Sequence, residues 1–141
     1  MKGWHDGYER LDGRPRHERS FRWHPEGVLL VRDVVNGARS TTCSTRIHLH
    51  PECEILERDD HRVRVGHPAG EFTVCFAGPG TLEVEDSSYC PEFGIARENR
   101  ALCFNASGER MQTGFCIAPG VELLKLDLES GASLGDRQLA W

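Results

Sequence analysis

Thr45-Arg46-Ile47-His48-Leu49-His50-Pro51 is the stretch whose reading decides the fold. Side chains alternate across an extended chain, so Ile47 and Leu49 share one face. Arg46, His48 and His50 share the other, about 7 Å between neighbours on that face. The apolar face suits a core. The polar face sets two imidazoles and a guanidinium in a row, which suits a metal, a carboxylate or an acidic sugar. It suits a ladder of structural hydrogen bonds equally well. Pro51 has no N–H to donate, so strand pairing breaks or bends there.

The same alternation continues in both directions. Upstream, Ser20 to Trp23 alternates into the turn His24-Pro25-Glu26-Gly27, and Val28 to Val35 is a second strand. Asn36-Gly37 is a strong hairpin signal, predicting that Ser40 to His50 returns alongside Val28 to Val35. Downstream, Cys53 to Arg58 is a short strand and Asp59-Asp60 a polar turn. Val63 and Val65 point inward, and His67-Pro68-Ala69-Gly70 turns the chain. Phe72, Val74 and Phe76 oppose Glu71, Thr73 and Cys75. After Gly78-Pro79-Gly80, Leu82 and Val84 face inward, and Ser87 to Gly94 reads as a loop. Arg100 to Ala106 is a strand, Ser107-Gly108-Glu109 a turn, and Met111 to Ala118 another strand. Val121 to Leu128 closes the series, although it holds no β-branched residue after Val121.

Roughly ten strands punctuated by Gly or Pro, with no sustained 3.6-residue period, predict an all-β chain, an antiparallel β-sandwich. Residues 1–17 read as an irregular N-terminal arm with room for one short strand, 18–129 as the sandwich, and 130–141 as a polar tail.

The chain has 141 residues, 28% charged and 38% hydrophobic, which fits one folded domain with a core. Its net charge of −5 and lack of a basic run argue against nucleic acid as a partner. No apolar run approaches a membrane span of about 20 residues. The start, Met1-Lys2-Gly3-Trp4-His5-Asp6, lacks the apolar segment of a secretion signal, which predicts a cytoplasmic protein. A truncated start would instead be compatible with the periplasm or secretion. Cys43, Cys53, Cys75, Cys90, Cys103 and Cys116 form no C-x-x-C pair and fall about one per strand. They read as reduced, mostly buried side chains rather than a zinc knuckle.

The motifs in order resemble a known family. Trp4-His5-Asp6-Gly7-Tyr8, His17-Glu18-Arg19, Val31-Arg32-Asp33 and Arg46-Ile47-His48-Leu49-His50-Pro51 are similar to the C-terminal β domain of heparinase II/III-like polysaccharide lyases. Glu85-Asp86-Ser87-Ser88-Tyr89-Cys90-Pro91-Glu92-Phe93-Gly94 resembles its acidic-aromatic loop, and Ile117-Ala118-Pro119 its closing strand. The resemblance runs from about Trp4 to Pro119. It implies a sandwich that partners a helical toroid in enzymes cleaving acidic polysaccharides by β-elimination. In those enzymes a Tyr and a His on the toroid move protons, helped by an Asn or Glu. A further His lies in an H-x-H-x-D-like segment that supplies metal ligands in some members. None of these roles transfers to a residue here. The chain is too short for the toroid, and no H-x-H followed by Asp precedes residue 17.

The expected function is therefore a non-catalytic module that associates with itself as a homo-oligomer and binds acidic saccharide. Arg46, His48 and His50 would meet carboxylates, and Trp4, Tyr8 and Tyr89 would stack on sugar rings. Trp23 is a further aromatic, read equally as core. No catalytic residue and no cofactor is assigned. The alternative is a small cupin-like metal protein using His48, His50 and Glu54, whose H-x-H-x3-E spacing resembles the first cupin motif. The partner motif, P-x-G followed by H-x3-N, is missing, and no His follows His67. No nucleophile elbow or phosphate loop is present.

Overall fold

A computed structural model describes the backbone of all residues except 121–122 and the side chains of all except 121–124. Among the described residues there are eleven strands and no helix: β1 (Lys2–His5), β2 (Arg16–His24), β3 (Val28–His48), β4 (Glu54–Arg58), β5 (Arg62–His67), β6 (Gly70–Ala77), β7 (Gly80–Glu92), β8 (Ile95–Pro119), β9 (Leu123–Asp127), β10 (Gly131–Leu134) and β11 (Arg137–Leu139). Every pairing is antiparallel. The predicted all-β sandwich is the architecture observed.

Two strands far longer than expected organise it. β3 and β8 pair along nearly their whole lengths, Leu29 opposite Ile117 at one end and His48 opposite Ala101 at the other. The first half of β3 and second half of β8 lie in a layer ordered β1-β2-β3-β8-β6-β5-β4. Their other halves leave that layer and make a second one with β7. Between the layers lie Val31, Val63, Val65, Val74, Phe76 and Phe115 from the first and Leu49, Leu82, Leu102 and Phe104 from the second. Phe76 and Phe104 stack across the gap, centroids 5.1 Å apart.

Asn36-Gly37 is therefore not the predicted hairpin. β3 passes straight through it, with a register irregularity between Asn36 and Thr41 that bends the strand from one layer into the other. Tertiary packing explains the glycine. A Cβ on Gly37 would stand 3.3 Å from the Gly13 carbonyl and 3.5 Å from Pro15 Cα, and the Ala38 amide donates to Gly13 O at 2.7 Å. The glycine admits the N-terminal segment against β3. Ser107-Gly108-Glu109 likewise lies inside β8 and is not a turn, and Ser87 to Glu92 is strand, not loop, turning only at Phe93-Gly94.

Both flanking segments carry strands. Residues 1–17 supply β1 and the start of β2. Residues 130–141, read as a polar tail, supply β10 and β11, which join β9 in a three-stranded sheet over the outer face of the first layer. Leu126, Ala132 and Leu139 pack there on Val28, Leu30, Cys75 and Cys116. Gly114 leaves room for the final residue: a Cβ there would meet the Trp141 ring at 3.0 Å. Five apolar side chains, Ala132, Leu134, Leu139, Ala140 and Trp141, spread over twelve residues were too few to read as a strand pattern. Of the expected closing strand, Leu126 and Leu128 reach this core; Val121 and Glu122, and the Leu124 side chain, lie outside the described residues.

Candidate functional site

The alternation of the opening stretch survives folding: Leu49 is buried, Ile47 half-buried, and Arg46, His48 and His50 exposed. The polar three are taken up by β7, which lies on the far side of β8 from β3. Arg46 pairs with Glu85 at 3.1 Å, His48 Nδ1 lies 3.1 Å from Ser87 Oγ, and the His50 ring meets Tyr89 edge-on with centroids 5.1 Å apart. β3 and β7 both run antiparallel to β8, hence parallel to each other, so the rungs 46–85, 48–87 and 50–89 advance together. They meet over β8 because the residues beneath are small. Ala101 and Cys103 are wholly buried although they face outward.

Four of the six expected saccharide contacts, Arg46, His48, His50 and Tyr89, thus come together. Trp4 and Tyr8 do not join them; they belong to the opposite edge, at β1. Trp4 is 59% exposed with the Arg16 guanidinium 4.0 Å over its ring, and Trp23 is 67% exposed rather than core.

At that edge the structure brings together residues that the sequence offered only as separate family motifs, His5 and Tyr8, His17 and Arg19, and Asp33. Asp33, on the first half of β3, faces between the layers and is only 4% exposed. Arg19 grips it with Nε at 2.6 Å and Nη2 at 2.9 Å, and His17 Nε2 lies 2.6 Å from Oδ1. An ionised carboxylate only accepts, so His17 donates to it from Nε2, while His17 Nδ1 lies 3.3 Å from His5 Nε2, accepting there when the ring is neutral and donating when it is charged. The Tyr8 ring lies 4.8 Å from His5 and 6.5 Å from His17. Burial is the largest influence on Asp33 and works to raise its carboxyl pKa. The His17 and Arg19 hydrogen bonds and charges together outweigh it and hold the group below the usual carboxylate value. The Asp33 bond is in turn the main reason the Arg19 guanidinium is held above its usual value. Beside the group is a groove of about 210 Å³, floored by Val35, Cys43 and Met111 and walled by Tyr8 and Leu11. The signal in the sequence was the odd-numbered polar run His17, Arg19 on one strand facing Asp33 on the next, a like-faced trio once β2 and β3 are put in register.

The metal set of the alternative reading was His48, His50 and Glu54. Among the described residues the three groups that converge are instead His50, Glu52 and His67, their ligand atoms all within 4.8 Å of one another. His48 is turned to Ser87, and Glu54 lies exposed on β4 opposite Gly66. The cysteines are all free thiols: Cys75, Cys103 and Cys116 buried, Cys43 and Cys53 half-buried, Cys90 exposed. Burial pushes the Cys75 and Cys116 thiols up to about 12. No helix among the described residues is long and apolar enough to cross a membrane.

A family model described as heparinase II/III-like, C-terminal, matches residues 1–118. The fold is similar to that of a heparinase III gene product, with a TM-score of 0.69 at 15% identity. That likeness covers 83% of this chain and 19% of the other, so the chain spans about a fifth of the length of that solved relative. No curated protein matches it.

Proposed function

The chain belongs to the heparinase II/III-like C-terminal family, and from that premise we propose that it is a non-catalytic module that binds acidic saccharide in the groove beside Tyr8. The observation that carries this reading is the Asp33–Arg19–His17–His5 group on one wall of a groove sized for a small ligand, with a tyrosine at the wall. Each side chain is fixed by the next, so little ordering cost remains for binding. Tyr8 offers a ring for stacking and a hydroxyl. Arg16 and Trp4 lie on the opposite face of β2 from His17 and Arg19 and outside the groove, so the positive charge that lines it is that of Arg19. The outward ladder is less suited to that task, because its side chains stand on an exposed strand face with one partner each and are not fixed in a connected chain.

The test is a titration of isotope-labelled protein with a uronate disaccharide and a neutral disaccharide. The uronate shifts resonances of residues 4–19 and 33, Tyr8→Ala weakens binding about tenfold, and Arg46→Ala leaves it unchanged. Equal response to both sugars, or loss on Arg46→Ala alone, rejects the reading.

A second reading, self-association, draws on the β7–β8 ribbon. Beyond the end of β3 it continues as two strands tipped by the fully exposed Phe93, with Ile95 beside it. A homo-oligomer formed through that tip dissociates on Phe93→Ser, which sedimentation of both proteins measures.

A further inference from the structure

We propose that His50, Glu52 and His67 form a zinc site. Two His-Pro turns build it. In His50-Pro51-Glu52-Cys53 the Cys53 amide closes a turn on His50 O at 2.9 Å, and Pro51 presets the backbone angle that folds Glu52 back toward its neighbour. In the β5–β6 hairpin, His67 faces Gly70 across a two-residue Pro68-Ala69 loop. β4 pairs with β5, Glu54 opposite Gly66, and this sets one turn against the other. In both turns the imidazole Nδ1 accepts the amide two residues on: Glu52 N at 3.3 Å and Ala69 N at 3.1 Å. Tyr89 packs edge-on against His50, and the two imidazoles are themselves edge-on at 5.8 Å.

The donor atoms are nearly at zinc spacing. Glu52 Oε2 lies 3.5 Å from His50 Nδ1 and 3.8 Å from His67 Nε2. Ligands about 2.0–2.1 Å from a tetrahedral zinc stand roughly 3.3 Å apart. The three donor atoms all lie within 4.8 Å of one another, and side-chain rotation on a partly exposed surface draws them in to that spacing. Two imidazoles and one carboxylate suit zinc rather than calcium or magnesium, which take oxygen ligands alone. Three protein ligands leave a fourth position for water. His50 also walls a recess with Asn99, whose buried Oδ1 has no hydrogen-bond partner while its Nδ2 donates to Leu49 O at 2.7 Å. That recess is one polar donor short.

Metal entry has a distinctive consequence. With Nδ1 of His67 accepting the Ala69 amide, its neutral ring carries the proton on Nε2, the atom that faces Glu52. Zinc on Nε2 displaces that proton to Nδ1, and two donors then face each other, so the Ala69 amide must let go; at His50 zinc takes the Nδ1 lone pair that the Glu52 amide uses, so that amide lets go as well.

Zinc chloride titrated into the full chain, followed by calorimetry and amide spectra, tests this. One equivalent binds, and the Ala69 resonance is among those that move most. Glu52→Gln and His67→Ala each weaken binding at least tenfold, while His48→Ala binds as the parent does. All three variants melt, without zinc, as the parent does, since Glu52 and His48 are exposed and His67 is partly exposed. Absence of one-equivalent binding, an unmoved Ala69 amide, or equal weakening by His48→Ala overturns the proposal.

Discussion

In the first half of β3, Asp33 points between the layers and is held by three hydrogen bonds from His17 and Arg19. In the second half, Arg46 and His48 point to solvent and each has one partner on β7. The residue types are similar, the strand is the same, and the alternation is continuous. What differs is the environment. A carboxylate out of water has to be charge-paired and fully bonded, so its neighbours are committed to it. A guanidinium half in water gains little from its pair and loses little without it. Inward polar groups on this strand are therefore structural first and available to a ligand only at their outer end, at His5 and Tyr8. The outward row is free of structural duty and open to exchange of partners.

That contrast is broken most directly at Asp33. Asp33→Ala leaves Arg19 and His17 without their acceptor, and the expected loss is about 2–3 kcal/mol in chemical denaturation, reduced from a fully buried pair because Arg19 is partly exposed. A loss below about 0.5 kcal/mol would place the inward group in the same class as the outward one. Next in size is the acid response. The folded-state pKa of Asp33 is depressed, so its contribution is present above the unfolded value, about 3.9, and is lost as pH falls through the lower folded value. Denaturation midpoints measured from pH 6 downward fall in the parent, and Asp33→Asn flattens the part of the fall below about pH 4. Smallest is the ladder: Arg46→Ala and His48→Ala each change stability by about 0.5 kcal/mol or less. Thiol labelling sharpens the same inside–outside contrast. Cys90 reacts at once, whereas Cys75 and Cys116, buried and pushed up to about 12, react only as fast as the chain opens.

The strands between Cys53 and Val84 were legible because each is short, alternates, and ends at Pro, Gly or paired Asp. Val63, Val65, Val74 and Phe76 are in the core as their positions required. Asn36-Gly37 misled because its turn propensity is local, and the docking of Gly13 and Pro15 on that backbone is not. Ser107-Gly108-Glu109 misled in the same way, as the bend of a long strand that pairs with β3 before and after it. Residues 130–141 were misjudged because an edge sheet covering one face packs with no more of this segment than Ala132, Leu134, Leu139 and the Trp141 ring.

The sequence by itself determined the class of fold and which side chains alternate inward or outward along each strand, because the two-residue period is a property of the extended backbone and needs no partner. It also determined the family, through the order of its motifs. Tertiary structure alone decided which polar groups meet. His5, His17 and Asp33 are up to 28 residues apart in number yet share one groove because β1, β2 and β3 pair in register. His50 finds Glu52 and His67 rather than His48 and Glu54 because two proline turns face each other. Side-chain chemistry acts over a few ångströms, and only the pairing of strands brings distant residues within that range.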